Sequence, residues 1–520
     1  MRPLLALWLA CVFEPLLAAQ QPAPAPEKPP EPAALGEPAA LPEGAPVHLK
    51  LIDRAGLRAH ASWLADDLRG GRYTSSKGQI ATAKYVADHF QKLGLKPLGD
   101  KKGFLQHYPL VRTVLEPATS LQVGELKIAT KFAVLAPRKE AKIAMSGKFA
   151  WCGNGTADQL PGELAGRIPL VVLSKLPKAM GLAGGLQAAN RWKDVEKQLS
   201  SRGATAAVIC LLDDQSSYGD ELTSKGLLPD HPRLRYEADG GEGSGIPLFV
   251  LSAEQSRLLF PQLGITLDDE GKPGAPTNDK ATGKLNIVIR IDEKGSASNV
   301  VAVLEGKGKK SECVVFSAHH DHIGQRLDGD TFNGADDNAS GSSGLLEIAE
   351  AFAKGGERPE RSIVFLSVSG EELGLWGSHW FSEHPTWPLD KIVADVNIDM
   401  IGRAGGEGSS IAMQVTPSHQ HEKYSTIVRD AVARGDKFGI VFTSGDTYYQ
   451  RSDHYNFARK GVPVVFFCDG EHPDYHQVSD HADKLDYAKM EAIARLAFWT
   501  GWEVAQAKGR PQELGKQPGW

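Results

Sequence analysis

The chain has few cysteines, and their scarcity and spacing exclude some kinds of site. Five cysteines occur in 520 residues, and the four beyond Cys11 are widely scattered, without the paired spacing of a zinc ribbon. The sequence therefore indicates no structural zinc site. It predicts buried thiols, and it leaves a bridge between Cys152 and Cys210 open as the alternative.

A strong excess of one charge and a long apolar run are also missing. Lys plus Arg number 58 against 64 Asp plus Glu, a formal net charge of −6, and no long basic run occurs. Nucleic acid is therefore not a predicted partner. No apolar stretch beyond the N-terminus has the length of a membrane span, so we expect no stable span once that segment is removed.

The N-terminus has the pattern of an export signal. Arg2 precedes an apolar run from Leu4 to Val12, and small residues follow at Ala18 and Ala19, which predicts a signal peptide over 1–19. Lipid attachment at Cys11 is the minor alternative. Residues 20–46 are dominated by Pro, Ala, Gln and Glu and are expected to form a flexible linker. The protein is thus predicted to be exported to the periplasm or the extracellular space.

Five short segments that contain His, Asp or Glu lie between positions 318 and 480. They are AHHDHIG at 318–324, NGADDNASG at 333–341, SGEELG at 369–374, NIDMIGR at 397–403 and DYHQVSD at 474–480. Three of them directly follow apolar, β-branched runs of strand length: CVVFSA, SIVFLSVS and IVADVNI.

Helical patterns at 342–355 and 375–384 separate these strands, so strand and helix alternate along the chain. This order predicts an α/β fold with a mostly parallel central sheet flanked by helices. Ligands of such sheets bind beyond the carboxyl ends of the strands. We therefore expect the five segments to meet in one cleft.

The residue types suit a hydrolase with two metal ions. Zinc accepts imidazole nitrogen and carboxylate oxygen, and a catalytic zinc keeps one position open for water or substrate. Two ions roughly 3.5–4 Å apart can polarise a scissile carbonyl and share one hydroxide as the nucleophile. A carboxylate that is not a ligand must then move the proton. Together the five segments predict a metallopeptidase.

At these segments the sequence resembles the co-catalytic, two-zinc aminopeptidase family, which also contains glutamate carboxypeptidase-like enzymes and glutaminyl cyclases. The resemblance extends from about Ile52 onward and includes DLRGGRYTSSKGQIATAKYVADHFQKLGLKPLGD. It implies two Zn²⁺ per subunit. The implied metal ligands are Asp337 as the bridge, His319 and Asp399 at one ion, and Glu372 and His476 at the other.

The same resemblance assigns three further roles. Glu371 would be the general acid and base. Asp321 would orient the imidazole of His319, a kind of support that tunes the basicity of a ligand. Tyr475 would donate to the oxyanion, a role that not every family member uses.

Several of these positions also have a plain structural reading. Chemistry alone does not decide whether Asp336 or Asp337 is the metal ligand, because an Asp just before a helix is usually an N-cap. The family spacing selects Asp337, and it selects His319 over its neighbours His320 and His322. Glu371 with Glu372 would otherwise be a solvated pair, and Tyr475 a packed aromatic residue. Asp453 and His454 are expected to form a wall or an outer support of the site.

The length exceeds what a single hydrophobic core normally supports, so we expect two domains. The catalytic domain is predicted over 47–118 and 285–510, followed by a tail at 511–520. It is expected to contain helices at about 53–66, 79–94 and 487–506. Residues 119–284 have short strands, such as those at 168–174, 204–212 and 246–252, and resemble a protease-associated domain, which would cover or restrict the cleft.

The predicted function is that of an exported, zinc-dependent aminopeptidase that acts on peptide substrates. A carboxypeptidase of the glutamate carboxypeptidase type is the alternative, because it has the same metal ligands. A glutaminyl cyclase would normally use one zinc ion, and a receptor-like relative without activity would lack ligands, whereas all five implied ligands are present. The sequence leaves oligomeric state and residue preference open.

Overall fold

A computed structural model describes residues 35–137, 139–173, 182–214, 222, 226–229, 231–236, 245–403 and 411–520. The predicted signal peptide over 1–19, the alternative lipid site at Cys11 and the first part of the predicted linker lie outside the described residues.

Strands and helices alternate through most of the described chain. The strands are β1 (Lys96–Pro97), β2 (Leu105–Leu115), β3 (Ser120–Val123), β4 (Leu126–Ile128), β5 (Phe132–Leu135), β6 (Ala141–Trp151), β7 (Ile168–Leu173), β8 (Ala207–Leu211), β9 (Arg233–Arg235), β10 (Leu248–Leu251), β11 (Thr282–Leu304), β12 (Cys313–His319), β13 (Ser362–Val368), β14 (Ile392–Ile398), β15 (Ile411–Thr416), β16 (Ile440–Ser444) and β17 (Val464–Cys468). The helices are α1 (Arg54–Leu64), α2 (Lys77–Lys92), α3 (Leu182–Ser200), α4 (Ala253–Leu263), α5 (Gly341–Lys354), α6 (Trp376–Glu383), α7 (Thr426–Gly435), α8 (His454–Arg459) and α9 (Tyr487–Gln506).

A parallel group of four strands forms the middle of the central sheet, in the order β13, β12, β14 and β17. Antiparallel partners lie on both sides, β11 next to β13 and β15 next to β17. Every residue of β12, β13 and β14 is buried, as expected for strands that are covered on both faces. The predicted α/β class with a central sheet flanked by helices is confirmed.

The 23-residue strand β11 connects this sheet to a second group of strands. Its first half pairs with β6, and its last residues pair with β13. In the second group β6, β7, β8 and β10 run parallel, and β5 closes the edge in the antiparallel direction. Two hydrophobic clusters lie within this part of the chain, separate from the core around the central sheet. The assignment of 119–284 to a protease-associated domain stays a prediction.

The helix predicted at 487–506 is present as α9, and most of its apolar side chains are buried. Ile493, Leu496 and Ala497 are inaccessible to solvent, and Val504 is 8% exposed. Its N-cap Asp486 accepts hydrogen bonds from the backbone N–H groups of Ala488 and Lys489. The predicted helices near 53–66 and 79–94 are α1 and α2.

The end of the predicted linker differs from the expectation, because it packs against α9. The side chains of Leu41 and Ala45 contact the main core. Ala39 donates through its backbone N–H to Glu491 and accepts from Arg495 through its carbonyl oxygen. The composition of this stretch, poor in large apolar residues, did not predict these contacts. Most of them are made with polar groups of a distant helix.

Cys152, Cys210, Cys313 and Cys468 are buried free thiols, so the alternative bridge between Cys152 and Cys210 is absent. Within the described ranges, no helix combines the length and the apolar character that crossing a lipid bilayer requires.

Candidate metal centre

The carboxyl ends of three adjacent parallel strands deliver the first side chains of the site. His319 is the last residue of β12, Glu371 follows β13 after a short turn, and Asp399 comes directly after β14. Asp337 lies in an irregular turn, Ala335–Ser340, that leads into α5, and His476 lies in the loop after β17. The predicted convergence of the five segments at one edge of the sheet is therefore observed.

Asp337 lies between two imidazoles. Its Oδ1 is 3.4 Å from Nε2 of His319, and its Oδ2 is 3.0 Å from Nε2 of His476. The carboxylate is almost inaccessible to solvent, with 5% of its side chain exposed. One carboxylate with two differently directed oxygens is the arrangement that a bridging metal ligand requires.

The first half of the site surrounds His319. Its Nε2 lies 3.2 Å from Oδ1 of Asp399 and 4.0 Å from Oε2 of Glu371. The second oxygen of Asp399 accepts a hydrogen bond of 2.8 Å from the hydroxyl of Ser452. This hydrogen bond directs the other oxygen of Asp399 toward the imidazole.

The second half of the site surrounds His476. Its Nε2 lies 3.1 Å from Oε2 of Glu372. A further imidazole, that of His322, lies beside it, with Nδ1 2.7 Å from Oε1 of Glu372 and 3.9 Å from Oδ2 of Asp337. His322, which the family spacing set aside, is thus part of the same cluster.

The two adjacent glutamates have opposite electrostatic environments. Burial raises the pKa of Glu371 well above its usual value, and the negative charges of Asp399 and Glu372 add to this effect. Burial also acts to raise the pKa of Glu372, but the imidazoles of His476 and His322 lower it to about 2. Glu372 therefore stays ionised at neutral pH, whereas Glu371 is suited to hold and release a proton.

The side chains of Asp336 and Asp337 have different partners. Asp336 accepts a hydrogen bond from the backbone N–H of Gly402 through Oδ1, and its Oδ2 lies 3.2 Å from Nε2 of His472. It is therefore directed away from His319 and His476. The carboxylate of Asp480 accepts from the backbone N–H groups of both Asp336 and Asp337, at 2.9 and 3.3 Å. This hydrogen bonding fixes the turn that presents Asp337.

A buried guanidinium holds the same turn from its other side. Arg72 donates from Nη1 to the carbonyl oxygen of Asn333 at 2.6 Å and from Nη2 to that of Gly334 at 2.9 Å. It also donates to the carbonyl oxygens of Leu64 and His320. Burial lowers the pKa of Arg72 to about 10, although the negative charges of the site, beginning with Asp337, oppose this.

Asp321 lies behind His319, as the resemblance implied, but its carboxylate has other partners as well. Nδ1 of His319 is 3.2 Å from the backbone oxygen of Asp321 and 3.7 Å from Oδ1 of its carboxylate. The carboxylate accepts from the hydroxyl of Thr74 at 2.8 Å and from the backbone N–H of Glu371 at 3.3 Å. Asp321 therefore links His319, an expected ligand, to Glu371, the expected general acid and base.

His320 lies outside the cluster. Its Nδ1 is 2.9 Å from the hydroxyl of Ser367, and its Nε2 is 2.8 Å from Nε2 of Gln79. Asp453 and His454 are also buried, and among the described residues neither belongs to the two groups of side chains that could hold a metal ion. The segment 450–467 therefore contributes walls and supports, with Ser452 as its direct contact to the cluster.

A cavity of about 60 Å³ opens beside the carboxylates. Tyr475 lines it, with its ring stacked on that of His476 at 3.9 Å and its hydroxyl 3.4 Å from Nη2 of Arg451. The other lining residues are Asp337, Glu371, Glu372, Asp399, Met400, Tyr448, Arg451, Phe466, Cys468 and Glu471. The cavity thus has an apolar part, the cluster of Met400, Phe466 and Cys468, next to the acidic residues.

The donor set fits divalent metal ions. Two groups of side chains offer nitrogen or oxygen atoms within 4.8 Å of one another, namely His319 with Glu371 and Asp399, and His322 with Asp337, Glu372 and His476. Imidazole and carboxylate are the ligands that zinc accepts. So many buried carboxylates require positive charge nearby, and metal ions would supply it.

Three supports of the site escaped the sequence analysis: Arg72, Asp480 and Ser452. Each acts through a contact with a residue far away in the chain, and Arg72 and His320 are 248 positions apart. Arg72 and Asp480 stand within segments quoted above, and Ser452 directly precedes Asp453, but nothing in the local sequence assigned a role to any of them.

The central sheet with its flanking helices has the fold of solved zinc aminopeptidases, and two groups of side chains at its edge could hold metal ions. Residues 299–500 match the model of peptidase family M28. A solved structure of BSAP, a zinc aminopeptidase from Bacillus subtilis, is similar with a TM-score of 0.52 at 18% identity, covering 90% of this chain and 98% of that one. At this identity the likeness shows the fold alone.

Two curated relatives are similar in sequence. The chain is 29% identical over 227 residues to a probable leucine aminopeptidase from Arthroderma otae, covering 42% of this chain and 60% of the relative. It is 23% identical over 331 residues to aminopeptidase YwaD from Bacillus subtilis, covering 62% of each. The chain thus spans about 60% of the length of these relatives.

Proposed function

We propose that the protein is a zinc-dependent exopeptidase with two metal ions, and that it acts as an aminopeptidase on peptides with a free N-terminus. The position of Asp337 between His319 and His476 is the observation that supports this proposal most directly. The names of similar proteins, two aminopeptidases and a zinc aminopeptidase, agree with it.

In the proposed site His319 and Asp399 would hold one ion, Glu372 and His476 would hold the other, and Asp337 would serve as a ligand to both. Two zinc ions held there would polarise the amide carbonyl and lower the pKa of water. The remaining steps fall to the side chains of the chain itself.

Glu371 is proposed to accept a proton from the attacking water and to pass it to the departing amine. Its carboxylate borders the cavity, and its raised pKa suits a group that must change its protonation state during the reaction. Tyr475 borders the same cavity, and its hydroxyl is proposed to donate a hydrogen bond to the oxyanion.

The cavity favours an exopeptidase that admits one side chain. Its volume is small, and Met400, Phe466 and Cys468 form its apolar part, so we propose that it accepts a single apolar residue at the end of a peptide. At its rim Arg451 and Glu471 form an ion pair of 2.7 Å. Glu471 can attract a free α-amino group, and Arg451 can attract a free carboxylate, which keeps the carboxypeptidase as the second candidate.

Cleavage of matched peptides tests the proposal. The metal-loaded protein is incubated with one set of peptides that has a free N-terminus and with a second set that is N-acetylated, and the released amino acids are identified. Release only from free N-termini is expected. Release of C-terminal residues from the acetylated set would establish the carboxypeptidase instead, and no release from either set would contradict both.

Two variants separate the roles of the adjacent glutamates. Glu371→Ala is expected to retain both ions while its turnover falls by about 10²–10⁴-fold, the typical contribution of a general acid and base. Glu372→Ala is expected to bind less metal. Normal turnover in a folded, metal-loaded Glu371→Ala variant would disprove the assigned role.

Export of the protein is also proposed, from the pattern of residues 1–19. Fractionation of cells that express the full chain, compared with a chain lacking 1–19, tests it. Activity outside the cytoplasm that depends on residues 1–19 is expected. Equal cytoplasmic retention of both chains would contradict it.

A further inference from the structure

We propose that His322 is a positioning residue that fixes Glu372, so that one oxygen of this carboxylate faces His476 while the other is held by the imidazole of His322. This inference rests on the proposed function, in which Glu372 binds a metal ion. It gives the structural reason why, of two adjacent glutamates, Glu372 is the ligand and Glu371 is free to carry a proton.

The two oxygens of Glu372 have different partners. Oε1 lies 2.7 Å from Nδ1 of His322, and Oε2 lies 3.1 Å from Nε2 of His476. The ring of His322 is inaccessible to solvent, and 7% of the Glu372 side chain is exposed. Water therefore does not compete for Oε1, and the hydrogen bond from His322 sets the rotation of the carboxylate.

Distances distinguish a hydrogen-bond partner from a metal ligand. Two ligands of one tetrahedral zinc ion, with bonds of about 2.0–2.1 Å, lie about 3.3 Å apart. The pairs among the proposed ligands fall at 3.0–3.4 Å, and they are His319 with Asp337, His319 with Asp399, His476 with Asp337, and His476 with Glu372.

His322 does not follow this spacing. Its Nδ1 is closer to Glu372, at 2.7 Å, and farther from Asp337, at 3.9 Å. The shorter value matches a charge-assisted hydrogen bond, for which about 2.7–2.9 Å is usual. Although its ring lies within the cluster, His322 is therefore a donor to a ligand.

Neighbouring backbone holds the ring of His322 in place. The backbone N–H of His322 donates to the carbonyl oxygen of Arg72 at 3.3 Å, and Tyr73 pairs with His322 as an isolated β-bridge. Gly334 packs against the other side, where a Cβ atom would lie 2.5 Å from Cγ and Cδ2 of the ring. The imidazole has little room to rotate away from Glu372.

Glu371 has no comparable support. Within the described part of the chain, no side chain donates a hydrogen bond to its carboxylate, and His319 is 4.0 Å away. The carboxylate of Glu371 is thus free to turn, whereas that of Glu372 is fixed. Outer hydrogen bonds of this kind typically change metal affinity by about 10–100-fold when they are removed.

Metal affinity measured by chelator competition tests the inference. The wild type and the variants His322→Ala, His322→Asn and His320→Ala are titrated with Zn²⁺ against a chelator of known affinity. His322→Ala is expected to lower the affinity for one of the two Zn²⁺ ions by about 10–100-fold and to leave the affinity for the other unchanged. His322→Asn should restore most of that affinity, because its amide can donate from nearly the position of Nδ1.

His320→Ala is the matched control, because His320 is an equally buried neighbour directed away from the site, and its affinities should equal those of the wild type. Unchanged affinities in His322→Ala would overturn the inference.

X-ray absorption of the fully loaded proteins separates a hydrogen-bond donor from a metal ligand. The number of imidazoles bound to zinc should be the same in the wild type and in His322→Ala. Loss of one imidazole in the variant would make His322 a ligand and overturn the inference.

The two proposals fail in different ways. If the wild type binds metal but cleaves neither peptide set, the proposed activity fails, whereas the affinity comparison still decides the role of His322. If the wild type cleaves peptides and His322→Ala binds both ions normally, only the role of His322 fails.

Discussion

Nη2 of Arg72 donates to the carbonyl oxygen of Gly334 at 2.9 Å, three residues before Asp337. The guanidinium is 1% exposed, and in the described structure no carboxylate lies within ion-pair distance of it. Its partners are carbonyl oxygens of α1, of the turn after β12 and of the turn before Asp337. Arg72 thus joins three segments of the chain around the metal centre.

Replacement of Arg72 should destabilise the fold. In Arg72→Met four buried carbonyl oxygens lose their donor, and each unsatisfied group costs about 1–3 kcal/mol, so a total loss of at least about 4 kcal/mol is expected. Urea unfolding of the metal-free protein measures it. Lys77→Met, an exposed control nearby, should change stability by less than about 0.5 kcal/mol. If Arg72→Met unfolded at the same urea concentration as the wild type, this role would be contradicted.

Asp480 should determine how well the turn of Asp337 binds metal. Asp480→Ala removes the acceptor of two backbone N–H groups and also the ion pair with Arg403. Metal affinity should fall by about 10–100-fold, and less in Asp480→Asn, which keeps an acceptor oxygen. Metal content after dialysis against a chelator is the measurement, with the exposed Asp483→Ala as control. Equal metal content in the Asp480 and Asp483 variants would exclude this contribution.

The elements that the sequence predicted are those with a local signal. Runs of apolar, β-branched residues predicted β12, β13 and β14, and helical spacing predicted α9, because burial of these segments depends on their own side chains. The ligand candidates followed from their position after those strands together with the resemblance. The roles of Arg72 and Asp480 depend instead on which backbone groups a distant turn leaves without partners, and such information is absent from a single sequence.

The same reasoning explains the packing of residues 39–46 and the position of His322. A Pro- and Ala-rich stretch gives no local signal for contact with α9, since polar groups of Glu491 and Arg495 provide the contacts. The spacing of the family motif excluded His322 as a ligand, and the distances agree with this, but spacing alone did not reveal its hydrogen bond to Glu372.

Tyr475 should contribute to catalysis through its hydroxyl group. Burial raises the pKa of Tyr475, and the negative charges of Asp337 and Glu372 raise it further, so the phenol stays a donor throughout the working pH range. Tyr475→Phe should lower kcat by about 10²–10³-fold, the usual loss for one oxyanion donor, with little change in KM. Steady-state kinetics on a peptide with a free N-terminus measure both constants.

Tyr424→Phe is the control for this variant, because Tyr424 is a buried tyrosine in the main core and not among the residues of the cavity. Its kinetic constants should equal those of the wild type. If Tyr475→Phe loses affinity for substrate while kcat is kept, the hydroxyl binds the ground state, and its assignment to the oxyanion is wrong.

Glu347 should make the stability of the protein depend on pH in the alkaline range. It is buried on α5, with His60 of α1 at 3.6 Å and the backbone N–H of Asp53 at 3.3 Å. The pKa of Glu347 is raised to about 8, mainly by burial and also by the charges of Asp53 and Glu350, against the opposing effects of the Asp53 backbone N–H and of Lys354. Burial also lowers the pKa of His60 to about 3, so at neutral pH both side chains of this pair are uncharged.

The direction of this pH dependence of stability follows from proton binding. Above pH 4.5 the unfolded chain loses the proton of Glu347, whereas the folded protein keeps it until about pH 8, so unfolding releases a proton and stability falls as the pH rises through this window. Between pH 7 and pH 9, where His60 is mostly neutral in both states, the loss should be about 1 kcal/mol. Glu347→Gln should remove this slope, because glutamine has no proton to lose, whereas Glu350→Gln, one turn along the same helix and partly exposed, should keep it. Urea unfolding of the metal-free proteins at several pH values measures the slope, and an equal slope in the wild type and in Glu347→Gln would show that Glu347 titrates normally.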